Sequence, residues 1–342
     1  MRRANIEVQF NWVFVLIAGS VILLAFFSFI MKQKAAHDQS LAESLVKDIV
    51  FLAEGASSAK KAWQVIDGTS GAVEPRCSEE CSCTLNVGSF SKEFGDLSLF
   101  IPSPLEGDKL VFWSQDWVIP FRVGNFLYMS SKNIKYWFVY AQEGDPLLDE
   151  ITSIFPRELN TETIALENIG TIEDEDYEVI KIILLNVGPL SAQDFASKLS
   201  DTLEEVDVKG VNIDSGAKSL TFYEKIDEDS LDFVQKQAPF TAIGTLLGAI
   251  FAQDATMYSC QVEKSLERAQ TIAKIYAQRT RDLNTQGKEN CGYENAITIL
   301  DGIAATAADL SLGLENKRMD FPMEDLEQIN RDLLNQGCPL VY

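Results

Sequence analysis

Phe10–Met31 reads FNWVFVLIAGSVILLAFFSFIM, and from Trp12 to Met31 it holds no charged residue. As a helix rising 1.5 Å per residue, this run extends about 30 Å, the hydrocarbon thickness of a bilayer. Secretory h-regions are shorter, typically about 7–15 residues, and end at a small-residue cleavage site. Here the run closes on Phe29-Ile30-Met31-Lys32, and the following Lys34-Ala35-Ala36 does not make an A-x-A site. The expectation is an uncleaved anchor: a short cytoplasmic segment over 1–11, a transmembrane helix over 12–31, and the lipid bilayer as first partner.

The flanks leave orientation open, because Arg2 and Arg3 before the span are nearly balanced by Lys32 and Lys34 after it. Three features favour a cytoplasmic N-terminus and an extracytoplasmic C-terminal domain. The leading segment is too short to need a folded domain. The cysteines all follow the span and suit an oxidising side. The acidic bulk of the chain is easier to place outside.

The span continues into amphipathic sequence. Leu41, Leu45, Ile49, Leu52, Ala53 and Ala56 recur at spacings of three and four, with Asp38, Glu43, Lys47 and Asp48 elsewhere around the helix. A stalk helix is expected over 32–71, weakening at Gly55-Ala-Ser-Ser58, with a further helical piece to Ile66 before Asp67-Gly-Thr-Ser-Gly71 breaks it. Packing on the chain's own domain is the first reading of its apolar stripe. Pairing with another chain is the second.

Composition narrows the chemistry. The net charge of -22 repels nucleic acid, whose binding needs clustered Lys and Arg. The single histidine, His37, stands just past the span, so a Ser-His-Asp, Cys-His or His-rich metal site would have to form beside the membrane. No HExxH, GxSxG, P-loop or EF-hand pattern occurs. Carboxylate or Ser-Lys chemistry stays open, but nothing marks it. The chain is read as non-enzymatic, with no cofactor and no metal.

The six cysteines are Cys77, Cys81, Cys83, Cys260, Cys291 and Cys338. Cys77-x3-Cys81-x-Cys83 fits neither zinc CxxC pairs nor ferredoxin runs, and disulfides are the better reading in an oxidising compartment. With three cysteines in each half, full oxidation requires at least one bridge from the early loop to the C-terminal region. Cys291 and Cys338 flank helical segments and can staple them, which leaves Cys260 to reach back. A continuous helix from Cys260 to Leu283 would be about 35 Å long and argues against a Cys260–Cys291 bridge.

Beyond the stalk, 72–142 reads as an antiparallel β-rich region. Strands are expected at Leu97–Ile101, Lys109–Trp113, Trp117–Ile119, Phe126–Met129 and Tyr136–Tyr140, separated by Pro, Gly and Asn turns. Their aromatic side chains suit a core first, and a carbohydrate or partner site second. The region 143–236 reads as a small α/β unit: a helix at Pro146–Phe155, a central strand at Tyr177–Val187, a helix from the cap Ser191 to about Glu205, and strands at Val206–Ile213 and Leu220–Tyr223. The acidic runs Glu173–Asp176 and Asp227–Asp229 read as solvated turns. The region 237–342 is helical. Ala238–Gln253 is a buried helix whose Gly244-x3-Gly248 permits close helix contact, and three apolar stripes follow that suit a bundle. The fold class is α+β.

Two resemblances bear on function. The start MRRANIEVQF resembles an archaeal type IV prepilin leader: Arg2 and Arg3, the small Ala4, and an acid before the apolar run. The resemblance implies cleavage after Ala4 and assembly through the N-terminal helix, aided in that family by a Glu at the fifth mature position. Here that position is Gln9, and Glu7 stands at the third, which tilts the helix toward an anchor. FNWVFVLIAG, Trp113-Ser-Gln-Asp-Trp117, Pro120-Phe-Arg-Val-Gly-Asn-Phe-Leu-Tyr128 and Gly337-Cys-Pro-Leu340 together resemble uncharacterised single-pass membrane proteins of archaea. That resemblance implies the same topology and supplies no activity. The expected function is a membrane-anchored extracytoplasmic structural or interaction protein of the cell envelope, with protein partners there and self-association through the N-terminal helix. The alternatives are a processed pilin-like subunit, and a receptor or enzyme with a cleft in the β or α/β region.

Overall fold

The computed structural model describes residues 4–59, 62–67, 72–78, 80–107, 109–173, 177–227, 229–285, 291–315 and 317–342. Arg2 and Arg3, the turn at 68–71 and the acidic residues 174–176 lie outside them. Helix α1, Ala4–Ser58, is 55 residues without a break and contains no proline, about 80 Å at helical rise. Its side chains from Phe14 to Met31 are nearly all exposed, Phe14 and Leu23 each at 71%. From Ala42 onward one face is buried: Ala42, Leu45, Val46, Ile49, Val50, Ala53 and Ala56. The stripe is rotated slightly from the expected one, since Leu41 is exposed and Leu52 half-buried.

The helix stops earlier than the expected stalk. Trp63–Asp67 is strand β1, not a helical continuation to Ile66. It pairs antiparallel with β6, Trp63 opposite Trp113 and Asp67 opposite Lys109. The β-branched Val65 and Ile66 suit that ladder, and the neighbouring strand decides the conformation.

Strands β2 (Val73–Cys77), β3 (Cys83–Val87) and β4 (Phe90–Glu93) form a three-stranded antiparallel sheet. The cysteine segment is thus a hairpin end, with Cys77 directly opposite Cys83. Strands β5 (Leu99–Phe100), β6 (Lys109–Val118) and β7 (Arg122–Ser131) join β1 in the order β1-β6-β7-β5. The two short strands expected at 109–113 and 117–119 are one long strand.

A six-stranded sheet follows. Its elements are β8 (Ile134–Tyr140), α2 (Pro146–Ile154), β9 (Asn160–Ala165), β10 (Val179–Leu185), α3 (Ala192–Ala196), β11 (Asp207–Asp214), β12 (Ser219–Lys225) and β13 (Phe233–Pro239). The order is β13-β12-β11-β10-β8-β9. The strands β9, β8, β10 and β11 are parallel, and β12 and β13 antiparallel. The helix expected from Ser191 to Glu205 is only α3 plus a separate 3-10 turn at Asp201–Leu203. Ser200 accepts from the amide of Thr202 and starts that turn afresh.

The chain ends in α4 (Ile243–Phe251), α5 (Ala255–Thr285), α6 (Glu294–Leu310) and α7 (Met323–Asn335). Helix α5 packs along α6 and also on β2, β5, β7 and β13, so these helices cover the sheets rather than stand apart as a bundle. One continuous core joins the second half of α1, the four-stranded sheet, one face of the six-stranded sheet and α4–α7. A smaller core on the other face gathers Trp137, Ile180, Ile182, Phe195 and Tyr223.

The aromatic segment supplies the main core, and Phe112, Trp113, Trp117, Phe121 and Tyr136 are buried there. Helix α4 is buried against it. The Gly244-x3-Gly248 spacing admits aromatic rings, not a second helix: a Cβ on Gly244 would lie 2.9 Å from Phe126, and one on Gly248 2.7 Å from Phe100. Phe100 is itself fully buried and stacked on Tyr128, so it has little room to yield. Gly248→Ala is expected to destabilise the protein by about 1–3 kcal/mol. Thermal unfolding followed by near-UV circular dichroism checks this, and an unchanged midpoint would remove the packing argument.

Candidate functional site

Two places in the structure carry features beyond ordinary packing: the junction where α1 meets the body, and a charged cleft in the six-stranded sheet. Trp12 and Met31, the expected ends of the span, both fall within α1. Among the described residues α1 is the one helix long and apolar enough to cross a membrane. Roughly ten residues, or about 15 Å of helix, separate Met31 from the first buried position at Ala42.

The last carbonyls of α1 have no partner within the helix and must find one elsewhere. Asn125 on β7, itself buried, donates from Nδ2 to Ala56 O at 2.6 Å and to Ala59 O. Arg122 donates from Nη2 to Ala59 O and to Asn125 Oδ1, both at 2.8 Å. Ser114 Oγ on β6 accepts the amide of Ala62, at 2.9 Å, where the chain turns into β1. A positive guanidinium near a helix C-terminus also complements the dipole. The 120–128 segment therefore clamps α1 to the four-stranded sheet. Nothing local in this segment marks a helix cap across more than sixty residues. Asn125→Ala removes the buried donor to Ala56 O, leaving Ala59 O to Arg122 alone, and is expected to cost about 1–3 kcal/mol. Limited proteolysis of the chain in detergent should cut faster near residues 59–62 in this variant, and equal rates would count against the clamp.

All six cysteines are paired. Cys77–Cys83 closes the β2–β3 hairpin, Cys81–Cys260 ties that hairpin to α5 across 179 residues, and Cys291–Cys338 joins the segment before α6 to the chain after α7. The long-range bridge required by parity is Cys81–Cys260. Helix α5 is continuous past Cys260, in keeping with the pairing of Cys291 elsewhere. With every thiol in a disulfide, the Cys77–Cys83 cluster has no thiolate to offer a metal. Among the described residues no group of three or more His, Cys, Asp or Glu converges to hold a metal ion.

The second place is a cleft of about 590 Å³ at the amino ends of β10 and β11, lined by Glu178, Glu205, Asp207, Glu224, Asp227 and Asp254 beside Lys209 and Lys225. Several of these charges already serve the fold. Asp207 pairs with Lys209 at 3.0 Å, and Glu224 pairs with Lys236 at 3.1 Å. Glu224 also accepts the amide of Ala255, and Asp254 that of Met257, at the start of α5. Lys225 donates to the carbonyls of Leu203, Glu204 and Val206. Burial, with Glu106 nearby, pushes the Glu178 carboxyl up.

Behind the cleft lies Lys181, one lysine in the fully buried strand β10. Its register partners are Tyr136 and Lys209, and its Nζ donates to Ala252 O, the carbonyl that follows α4. Burial, reinforced by Lys209, pulls its pKa down from 10.5 to about 7; Asp207, Asp254 and Glu224 oppose this. The sequence held the signal: a lone lysine inside Val-Ile-Lys-Ile-Ile-Leu-Leu. Between about pH 7 and the unfolded value of 10.5, the unfolded chain binds a proton at this position that the folded chain does not. Stability therefore rises with pH across that window. Tyr128, Tyr136 and Tyr258 act oppositely, because burial raises their hydroxyls and their contribution fades only above their ordinary value of 10.0. Lys181→Met is expected to flatten the rise in unfolding midpoint between pH 7.5 and 9.5, roughly the window those pKa values define. An unaltered slope in that variant would assign the pH dependence elsewhere.

Compared with known proteins, the chain matches no family model, no curated protein and no solved structure.

Proposed function

We propose that this chain is a membrane-anchored, extracytoplasmic protein of the cell envelope, with its N-terminus in the cytoplasm and a body that binds other envelope components rather than catalysing a reaction. The observation that carries this reading is α1. From Phe14 to Met31 it is apolar and nearly all exposed, while from Ala42 onward one face is built into the main core and its end is clamped by Arg122 and Asn125. A helix of that kind needs lipid or apolar partners around its free half. Three disulfides support an oxidising location for the body, and the net charge of -22 keeps it away from anionic headgroups.

The same geometry favours one second reading. An apolar half-helix projecting from a body whose sheet packs the other half is also the form a pilin-like subunit requires for assembly through that helix. Intact-mass measurement of the membrane-extracted chain separates the two. Retention of Ala4 and the residues before it is expected for the anchor, and loss of Met1 to Ala4 for the subunit. Crosslinking in the membrane should capture different envelope proteins if the anchor reading holds, whereas a ladder of self-crosslinked species supports assembly. Protease added to intact cells should degrade the body, and its full protection would sink the proposed orientation.

A further inference from the structure

Lys181 is a basic side chain set in the middle of a sheet. Its strand, β10, is paired on both sides, with β8 and with β11, and the residue is only 5% exposed. An ammonium group can donate three hydrogen bonds. Among the described residues Lys181 Nζ makes one, to Ala252 O at 2.5 Å. The titratable groups around it are Tyr136 on β8, Asp207 and Lys209 on β11, Glu224 on β12 and Asp254 before α5. Helix α4 contributes none. The carboxylates are engaged elsewhere: Asp207 with Lys209, Glu224 with Lys236 of β13 and the Ala255 amide, and Asp254 with the Met257 amide. A buried ammonium without an ion-pair partner is costly.

The wall between this amine and the charged cleft is the connector Ala252-Gln253-Asp254, which joins α4 to α5. A cavity of about 10 Å³ touches Lys181 and shares Lys209, Glu224, Gln253 and Asp254 with the 590 Å³ cleft outside. It has room for about one water at most. The connector belongs to no sheet ladder. Lys181 holds Ala252 O, Glu224 holds the Ala255 amide at 2.8 Å, and Asp254 holds the Met257 amide at 2.7 Å. Strand β10 is fixed by backbone bonds along both edges, so the connector is the wall that yields at lower cost.

We propose that the Ala252–Asp254 connector is a proton-controlled gate over Lys181. With the amine neutral, the connector seals it from the cleft. With the amine charged, the connector swings outward, and water and the cleft carboxylates solvate the ammonium. Opening returns the amine toward its ordinary value of 10.5, against about 7 when sealed. Between those values the open form binds a proton that the sealed form lacks, so opening becomes rarer as pH rises through the window. The gate is independent of the membrane reading.

The test is hydrogen–deuterium exchange of the full chain in detergent, read by mass spectrometry on peptides covering 252–258 and, as a reference, β10. Rates are corrected for the intrinsic pH dependence of amide exchange. Protection over 252–258 is expected to rise at least about tenfold from about pH 6.5 to about pH 8.5, while β10 stays protected at both. Lys181→Met should abolish the rise. Lys209→Gln removes the like charge beside the amine and should move the onset of the rise to higher pH. A merely structural lysine would not give that shift, and it decides the matter even if Lys181→Met does not fold. The gate is overturned by protection over 252–258 that is constant with pH, by a rise that survives in Lys181→Met, or by an unmoved onset in Lys209→Gln. Loss of protection in β10 together with the connector would overturn it too.

Discussion

The rest of the structure depends on how the end of α1 is held. A long helix that simply stopped would expose its last carbonyls and leave the body free to swing about its end. Here Asn125 and Arg122 take up carbonyls at its end from β7, and Ser114 receives the amide of Ala62 just before β1. The buried face from Ala42 to Ala56 belongs to the same core as the four-stranded sheet and α4–α7. The body is therefore fixed in direction relative to the helix axis, not tethered by a linker. Whatever surrounds the first half of α1 sets the orientation of the whole.

That core also explains why a protein of several sheets behaves as one unit. The smallest sheet is held by covalent means: Cys77–Cys83 closes its hairpin and Cys81–Cys260 fastens it to α5. A crosslink across so long a loop removes much of the unfolded chain's freedom. Helix α4 needs no crosslink. Its glycines bring its backbone against Phe100 and Phe126, a contact that a single methyl group would break. The six-stranded sheet joins by one face and keeps its own small core on the other. Its amino-edge charges are largely engaged in holding α5 and its own strands.

Much of this was legible in the chain. The long apolar run, the strong strands at 109–140 and 177–187, the α2 segment and the C-terminal helices all announced themselves by period and composition. Counting cysteines alone required a bridge between the halves. Other features were not legible, for definite reasons. Trp63–Asp67 is too short to show a period of its own and became a strand because β6 offered its edge. Strands β9 and β13 are polar and edge-placed, so they lack an apolar alternation to read. The segment after Ser191 reads as one helix from its cap, but Ser200 restarted the chain in a 3-10 turn. Gly244-x3-Gly248 correctly indicated a close approach and gave no clue to whether a helix or a ring would make it.

The sequence by itself determined the properties that depend on composition and local period. These are a helix long and apolar enough for a bilayer, a strongly acidic chain, an α+β content, and the parity of the cysteines. Only the tertiary structure decided which groups meet. It placed Asn125 on the carbonyls of Ala56 and Ala59, buried Lys181 under a charged cleft, and set the ends of β8 and β10 side by side. The physical reason is that hydrophobic period and helix propensity act within a few residues, whereas a cap, a lowered pKa or a crevice arises from groups far apart in the chain. Their contact is fixed by strand order, which no local pattern encodes.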